Sequence, residues 1–298
     1  PSRVDWRVWH AARAGAGSDH TAHDATSRPR CKARRVSAPR FVELTWRGPV
    51  VRIEHQWIAA ERAQAPLVVF LHEGLGSLAM WKDFPRTLCD AAQVRGLVYS
   101  RPGYGRSTTP AAEQAWDPDF LHRQAHEVLP ALLDSLGVKQ PVWLFGHSDG
   151  GSIALLHAAR FPERVAGAIV LAPHIVVEDV GVARIAQARD AYRETDLRER
   201  LAKYHDDPDS AFWRWNSIWL NPLFKQWSIE TEIESITCPL LAVQGIDDEY
   251  GTLEQIRGVA RRVRQTELLE LADCGHSPHR DQPQALSAAC ADFIARHR

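Results

Sequence analysis

The sequence is poor in cysteine and has no long apolar run. Its five cysteines are an odd number and none are spaced as C-x-x-C, so neither a disulfide framework nor a zinc site is predicted. No apolar stretch approaches the ~20 residues that a membrane-spanning helix needs, and the N-terminal region lacks the apolar core of a secretory signal. These absences predict a cytoplasmic protein without a membrane partner.

The chain also lacks a charge imbalance and the usual phosphate-binding motifs. Its formal net charge is −1, which gives no reason to expect a nucleic acid partner. No phosphate loop or cluster of metal ligands occurs, and Gly103 and Gly105 lack the third glycine of a dinucleotide fingerprint. We therefore expect no cofactor and no metal, and a small-molecule substrate as the partner. A monomer and a homodimer are equally compatible with the sequence.

Basic residues are concentrated at the start of the chain. Residues 1–40 contain nine lysines and arginines against three acids, which predicts a disordered basic tail, with a transit peptide or a nucleic-acid-binding arm as the alternatives. Beyond it, short apolar runs alternate with helical patterns, which predicts an α/β fold with a mostly parallel sheet and helices on both faces. The alternation stops at 174–236, predicted to be a helical cap inserted between two parts of the α/β domain, 41–173 and 237–298.

A G-x-S-x-G motif follows an apolar run directly and precedes a helical pattern directly. The residues are Gly146-His147-Ser148-Asp149-Gly150. In this context the motif forms a nucleophile elbow, a turn so tight that glycine is needed on both sides and the serine hydroxyl rises above the end of the strand. Ser148 is therefore the predicted nucleophile. The alternative is a glycine-rich turn that carries an ordinary serine.

A serine hydroxyl is a weak nucleophile and needs a base that a carboxylate orients. Chains with this elbow carry the three groups in the order serine, acid, histidine. Downstream of Ser148, Asp247 and Asp248 follow one apolar run, and His276 and His279 follow the next. Both pairs are expected at the carboxyl ends of strands, where open α/β sheets place their active sites. His276 directly follows a glycine and is the predicted base, whereas His279 is expected to line the entrance or cap the last helix.

Five motifs in order give the chain, from about residue 41 onward, a resemblance to the α/β-hydrolase superfamily. Besides the elbow and the loops of the acid and the histidine, residues 71–77 resemble the HG-type oxyanion loop of that family. Residues 101–107 resemble its D-x-P-G-x-G-x-S loop, and 161–165 resemble the link that follows the elbow helix. The resemblance implies the α/β-hydrolase fold. The family's glycine-plus-three spacing also implies Asp248 as the acid, with Asp247 and Glu249 at the surface or as caps.

The resemblance further implies an oxyanion hole. One donor is the backbone N–H of Asp149, and the second comes from the 72–76 loop, at Glu73 or Gly74. Glu73 departs from the family, which usually has glycine at this position. A carboxylate beside a developing oxyanion is unfavourable, so Glu73 is expected to face solvent or a cationic partner, or else to shape substrate choice. His147 is a candidate substrate-binding residue, with packing beneath the nucleophile as the alternative.

A serine nucleophile implies, within this superfamily, acyl transfer rather than the aspartate-based chemistry of dehalogenases and epoxide hydrolases. The predicted activity is hydrolysis of a small or medium ester through an acyl-enzyme. A C–C bond hydrolase of the meta-cleavage type, a thioesterase or acyltransferase, and a non-catalytic binding protein are the alternatives. Trp215 and Trp219 of the predicted cap are candidate substrate contacts. Alternatively, because they follow Phe212 at i+3 and i+7, all three form one buried helix face.

Overall fold

A computed structural model describes residues 38–110 and 117–298. The basic tail predicted for residues 1–40 lies outside the described residues, apart from 38–40. Within the described ranges, every helix is too short or too polar to cross a membrane.

One mixed sheet of eight strands forms the centre of the described structure, in the order β1-β2-β4-β3-β5-β6-β7-β8. The strands are β1 (Arg40–Thr45), β2 (Val50–Ile58), β3 (Leu67–Leu71), β4 (Arg95–Tyr99), β5 (Val142–His147), β6 (Val165–Leu171), β7 (Leu240–Gly245) and β8 (Thr266–Leu271). β2 pairs antiparallel with both β1 and β4, and every other pairing is parallel. The predicted mostly parallel sheet is confirmed.

Ten α-helices lie between or after the described strands. They are α1 (Phe84–Ala92), α2 (Phe120–Arg123), α3 (Leu129–Ser135), α4 (Asp149–Arg160), α5 (Asp179–Glu194), α6 (Leu197–Leu201), α7 (Pro208–Trp219), α8 (Glu254–Arg262), α9 (Pro278–Asp281) and α10 (Pro283–Arg296). A π-helical turn at Gln124–Val128 joins α2 to α3. Short 3-10 helices occur at Leu78–Trp81, Pro162–Arg164, Phe224–Gln226 and Glu232–Ser235.

The central strands are mostly apolar because helices cover both of their faces. Every residue of β3 and β5 is buried. The main core cluster joins α1 and α10 to the sheet through side chains such as Leu88, Phe70, Phe145 and Phe293. Helix α4 contributes nothing to that cluster and packs instead on β3, β5 and β6. The carboxyl ends of β5, β7 and β8 lie at one edge of the sheet, with β6 between β5 and β7.

Between β6 and β7, residues 174–236 contain α5, α6 and α7. We refer to residues 174–236 as the insert. Its backbone forms a single bridge, between Val176 and Ser228. His205 ties the insert to the main domain, because its Nδ1 accepts the N–H of Gly105 (2.9 Å) and its Nε2–H donates to the carbonyl oxygen of Leu75 (3.0 Å). The insert is thereby fixed to the two loops that follow β3 and β4.

Candidate active site

Ser148 lies on the turn between β5 and α4 in a strained backbone conformation. Its φ is 54° and its ψ is −119°, a region that residues other than glycine seldom adopt. A Cβ atom on Gly146 would lie 2.2 Å from the carbonyl oxygen of Gly150, and one on Gly150 would lie 2.0 Å from that of Leu71. Both glycines are therefore required, because α4 starts in contact with the strands beneath it.

The structure brings Ser148, His276 and Asp248 together from the ends of β5, β8 and β7. Ser148 Oγ lies 3.0 Å from His276 Nε2. On the other side of the ring, His276 Nδ1 lies 2.9 and 3.0 Å from the two carboxylate oxygens of Asp248. Since the carboxylate accepts the Nδ1 proton, Nε2 of the neutral ring is left as an acceptor for the serine hydroxyl.

Asp248 is held by uncharged donors in addition to the histidine. Its oxygens accept the backbone N–H groups of Tyr250 (2.8 Å) and Gly251 (3.3 Å) and the side-chain amide of Gln244 (3.0 Å). Burial would raise the pKa of Asp248, but His276 and the backbone N–H of Tyr250 hold it below its usual value. Burial would likewise lower the pKa of His276, yet the carboxylate of Asp248 raises it above its usual value.

The two neighbours of Asp248 point elsewhere. Asp247 is exposed, and the carboxylate of Glu249 accepts the backbone N–H of His276 at 3.2 Å. Of the two adjacent aspartates, the structure therefore places only Asp248 against the imidazole.

Glu73 is buried and paired, although its carboxylate was expected to be unfavourable at this position. Its side chain accepts a hydrogen bond from Arg280 Nη2 at 3.0 Å and lies 3.6 Å from His147 Nδ1. Burial favours the protonated acid, but His147 and Arg280 hold the pKa of Glu73 well below its usual range. His147 in turn donates from Nε2 to the carbonyl oxygen of His276, at 2.7 Å. Glu73 thus faces a cationic partner and not solvent.

The backbone carbonyl of Glu73 is the acceptor of three hydrogen bonds. The donors are His72 Nδ1 (2.7 Å), Arg101 Nη2 (2.8 Å) and the N–H of Gly76 (3.0 Å). The tautomer of His72 is fixed, because its Nε2 accepts the backbone N–H of Arg101 at 3.0 Å. This peptide unit is consequently held in one orientation.

The side chain of Asp149, the residue after Ser148, is fully buried. It accepts a hydrogen bond from the indole Nε1 of Trp219 at 3.2 Å and pairs with Arg101 Nη2 at 3.4 Å. Burial raises the pKa of Asp149, and Arg101 opposes that rise. The first turn of α4 is thus connected both to the insert and to the loop after β4.

Helix α7 separates the three aromatic residues that share its periodicity. Phe212 stacks on Tyr192 within the insert, with ring centroids 3.8 Å apart. Trp215 and Trp219 instead reach the site. A Cβ atom on Gly74 would lie 2.2 Å from Nε1 of Trp215, so that indole packs directly on the loop after β3. The two predicted tryptophans therefore contact the loop after β3 and the first turn of α4, whereas Phe212 packs on Tyr192.

Two further buried histidines lie close to His276 and His147. The ring of His174, which follows β6, is 6.0 Å from that of His276, and burial lowers its pKa to about 3. His279 was expected at the entrance or as a cap, and this was wrong. It is only 4% exposed because its ring packs between Trp81 (4.9 Å) and His147 (4.8 Å).

Sequence reasoning did not single out Arg101, Arg280 or His174 as site residues. Arg101 and His174 follow the carboxyl ends of β4 and β6. The strand-end rule that drew attention to Asp248 applies equally to them. Arg280 carried no such signal, because only the packing of α9 brings it to Glu73. Among the described residues, no group of three or more His, Cys, Asp or Glu is arranged to hold a metal ion.

The fold and the site together define an α/β protein with a serine on a nucleophile-elbow turn. A family model described as the alpha/beta hydrolase family matches residues 68–289. The chain therefore belongs to the alpha/beta hydrolase family, and the resemblance noted in its motifs is confirmed.

Similar proteins include hydrolases of different kinds. The chain is 25% identical over 255 residues to a putative carbamate hydrolase RutD of Caulobacter sp. (strain K31), covering 76% of this chain and 90% of the relative. It is 22% identical over 264 residues to 2-hydroxy-6-oxo-6-phenylhexa-2,4-dienoate hydrolase of Comamonas testosteroni, covering 78% and 89%. A thermophilic esterase from Thermogutta terrifontis has a similar fold, with a TM-score of 0.66 at 18% identity over 88% of this chain and 100% of the esterase.

Proposed function

We propose that the protein is a serine hydrolase that acts on a small or medium ester through an acyl-enzyme. The observation that carries the proposal is the continuous path from Ser148 Oγ through the imidazole of His276 to Asp248, with no gap above 3.0 Å. His276 Nε2 takes the serine proton as Oγ attacks the ester carbonyl, and Asp248 stabilises the imidazolium that forms. The same proton then leaves with the alcohol, and a water molecule repeats the sequence to release the acid.

The oxyanion of the tetrahedral intermediate would be bound by the backbone N–H groups of Asp149 and Gly74. A trans peptide unit directs its carbonyl and its N–H to opposite sides. The three donors on the carbonyl oxygen of Glu73 therefore turn the N–H of Gly74 away from themselves. This supports Gly74 as the second donor in preference to Glu73.

The insert would act as the cap of the substrate pocket. Ser148 is only 7% exposed, and α7 contributes Trp215 above the loop that follows β3 and Trp219 above Asp149. Two indole rings on the elements that flank Ser148 favour a small or medium substrate with an apolar part. His147 would serve the pocket indirectly, because its contacts are with Glu73 and with the backbone of His276.

A C–C bond hydrolase is the second candidate. It is favoured by the likeness to the dienoate hydrolase of Comamonas testosteroni over 78% of the chain. Thioesterase or acyltransferase activity uses the same acyl-enzyme. A binding protein without activity is disfavoured, because it has no need of the short contacts between Ser148, His276 and Asp248.

The test is steady-state hydrolysis of p-nitrophenyl esters of increasing chain length. Ser148→Ala is expected to lower the rate by about 10⁴-fold or more. Ser287→Ala is the matched control, because Ser287 is equally buried and lies in α10, and it is expected to keep the wild-type rate. The chain length that reacts fastest measures the size of the pocket.

The outcomes separate the candidates. Ser148-dependent turnover supports the ester hydrolase. Labelling of Ser148 by a fluorophosphonate without ester turnover directs the search to ring-cleavage products and acyl-CoA substrates. A folded protein that neither turns over esters nor reacts with the fluorophosphonate contradicts the proposal.

A further inference from the structure

Arg101 is a fully buried arginine, and its burial is not explained by a contribution to the stability of the fold. Its relative exposure is 0%, and within the described part of the chain its Nε and Nη1 have no hydrogen-bond partner. The guanidinium does lie over the ring of Tyr104, with Cζ 4.7 Å from the centroid. Burying a cation with two unsatisfied nitrogens opposes folding. A different role for the residue is therefore indicated.

The remaining nitrogen of this guanidinium joins two separate elements. Nη2 donates to the carbonyl oxygen of Glu73 at 2.8 Å and lies 3.4 Å from the carboxylate of Asp149. The first contact is with the loop that follows β3, and the second is with the first turn of α4. These are the two elements that carry the proposed oxyanion donors, Gly74 and Asp149.

A second route runs from the backbone of Arg101 to the same carbonyl. Its N–H donates to Nε2 of His72, which obliges the Nδ1–H of that ring to donate to Glu73 O. The main chain and the side chain of Arg101 therefore both fix the peptide unit between Glu73 and Gly74. Hydrogen bonds that converge on the carbonyl also polarise that unit, which strengthens its N–H as a donor.

We propose that Arg101 is a positioning residue of the oxyanion hole, which holds the Gly74 and Asp149 N–H groups so that both reach one oxygen atom. The inference rests on the proposed function. It assigns Arg101 no contact with substrate, since its guanidinium is fully buried beneath the loop. A displacement of about 1 Å in such a donor costs about 100-fold in rate, so losing the bridge is expected to slow the chemical step and leave substrate binding nearly unchanged.

The experiment compares Arg101→Met, Arg101→Lys and a matched control, Arg62→Met. Arg62 also donates to two backbone carbonyls, those of Cys89 and Val94, and to the carboxylate of Asp90. It lies beside the residue before β4, at the opposite edge of the parallel strands. The control therefore loses the same kinds of hydrogen bond without affecting the oxyanion hole.

Two readouts distinguish positioning from general stability. The first is kcat and KM with the p-nitrophenyl ester that wild type hydrolyses fastest. The second is inhibition by the alkylboronic acid of matching length, which adds to Ser148 Oγ and places a boronate oxygen in the oxyanion hole. Both Arg101 variants are expected to lose about 100-fold in kcat and a similar factor in boronic acid affinity, with KM within about threefold of wild type. Arg62→Met is expected to match wild type in all three.

Arg101→Lys decides between charge and geometry, because lysine keeps the charge but its side chain is one atom too short to bring its nitrogen to the position of Nη2, which contacts both partners. Wild-type kcat in Arg101→Lys, or wild-type boronic acid affinity in either variant, would overturn the proposal. If Arg101→Met does not fold, Asp149→Asn takes its place. It keeps the N–H and removes the carboxylate that Arg101 holds, and it is expected to lower kcat without adding to the effect of Arg101→Lys. Fully additive losses would overturn the proposal.

Failure of the proposed function would appear earlier, in the wild-type protein. A wild-type chain that reacts with no ester, boronic acid or fluorophosphonate contradicts the hydrolase itself and, with it, this inference. A wild-type chain that reacts normally, with Arg101 variants that also react normally, contradicts only the role of Arg101.

Discussion

The two sides of Ser148 compensate their buried charges in different ways. On the side of the base, Asp248 is satisfied by neutral donors, namely the amide of Gln244 and the N–H groups of Tyr250 and Gly251. None of these carries a charge that would cancel that of the carboxylate. The negative charge of Asp248 therefore acts on the imidazole, and the pKa of His276 is raised despite its burial.

On the side of the proposed oxyanion hole, each carboxylate has its own guanidinium. Glu73 pairs with Arg280 at 3.0 Å, and Asp149 pairs with Arg101 at 3.4 Å. A net negative charge there would oppose the negative oxygen of the intermediate. In the proposed mechanism, an acid is therefore left uncancelled where a positive charge would develop and is cancelled where a negative charge would develop.

The largest effect is expected when the charge of Asp248 is removed from the side of the proposed base. Asp248→Asn removes the charge that orients and stabilises protonated His276, and kcat is expected to fall by about 10⁴-fold. Asp247→Asn, at the exposed neighbouring position, is the matched control and is expected to keep the wild-type kcat. Steady-state ester hydrolysis measures both. A slow Asp247→Asn beside a normal Asp248→Asn would reverse the assignment of the acid.

A smaller effect is expected when the cancellation around Glu73 is broken. Arg280→Gln leaves the carboxylate beside the oxyanion without its guanidinium, and kcat is expected to fall about tenfold, or about 1.4 kcal/mol. The double variant Arg280→Gln/Glu73→Gln removes both charges and is expected to recover most of the loss. The measurement is kcat for the two variants with the same ester.

A surface pair of the same type controls for this prediction. Arg257 binds Glu270 at 2.8 Å on the exposed face of α8 and β8, so Arg257→Gln is expected to leave kcat unchanged. If Arg280→Gln is as fast as Arg257→Gln, the charge of Glu73 does not reach the oxyanion. Its cancellation by Arg280 is then not needed for catalysis.

The smallest effect concerns the stability of the fold at acidic pH. His205 and His276 change that stability in opposite directions as the pH falls. Burial lowers the pKa of His205 to about 4, so the unfolded chain binds its proton first and stability is lost as pH falls from about 6.5 to about 4. The raised pKa of His276 acts oppositely, adding stability as pH falls toward about 6.5.

Urea unfolding midpoints at a series of pH values from about 7.5 to about 4.5 test this difference. His205→Gln is expected to flatten the loss of stability below pH about 6.5. His276→Gln is expected to remove the gain in stability that occurs as the pH falls toward about 6.5. An unchanged slope in His205→Gln would show that His205 is not neutral in the folded protein. Burial also lowers the pKa of His157 to about 4, so part of the acid loss is expected to persist in both variants.

The placement of functional groups at strand ends followed from local sequence. The apolar run before Gly146 and the helical pattern after Gly150 required a tight turn, and the structure has one at Ser148. The resemblance to the family, with its glycine-plus-three spacing from Gly245, implied which of two adjacent aspartates turns toward the histidine. These inferences worked because each depends on a few consecutive residues and on the rule that parallel strands end at one edge.

What lies beside those strand ends was decided only by tertiary structure. The helical period of α7 described a shared face for Phe212, Trp215 and Trp219, yet Phe212 packs inside the insert while the two tryptophans reach the site. Periodicity describes one element and carries no information about which neighbour it meets.

The same limit applies to the buried charges. The sequence by itself determined the fold class, the elbow and the chain order of the proposed triad, because backbone sterics and strand order act locally. Glu73 and Arg280 are 207 positions apart, and Asp149 and Arg101 are 48 apart. Which cation cancels which acid depends on how distant elements pack, and only the folded chain specifies that.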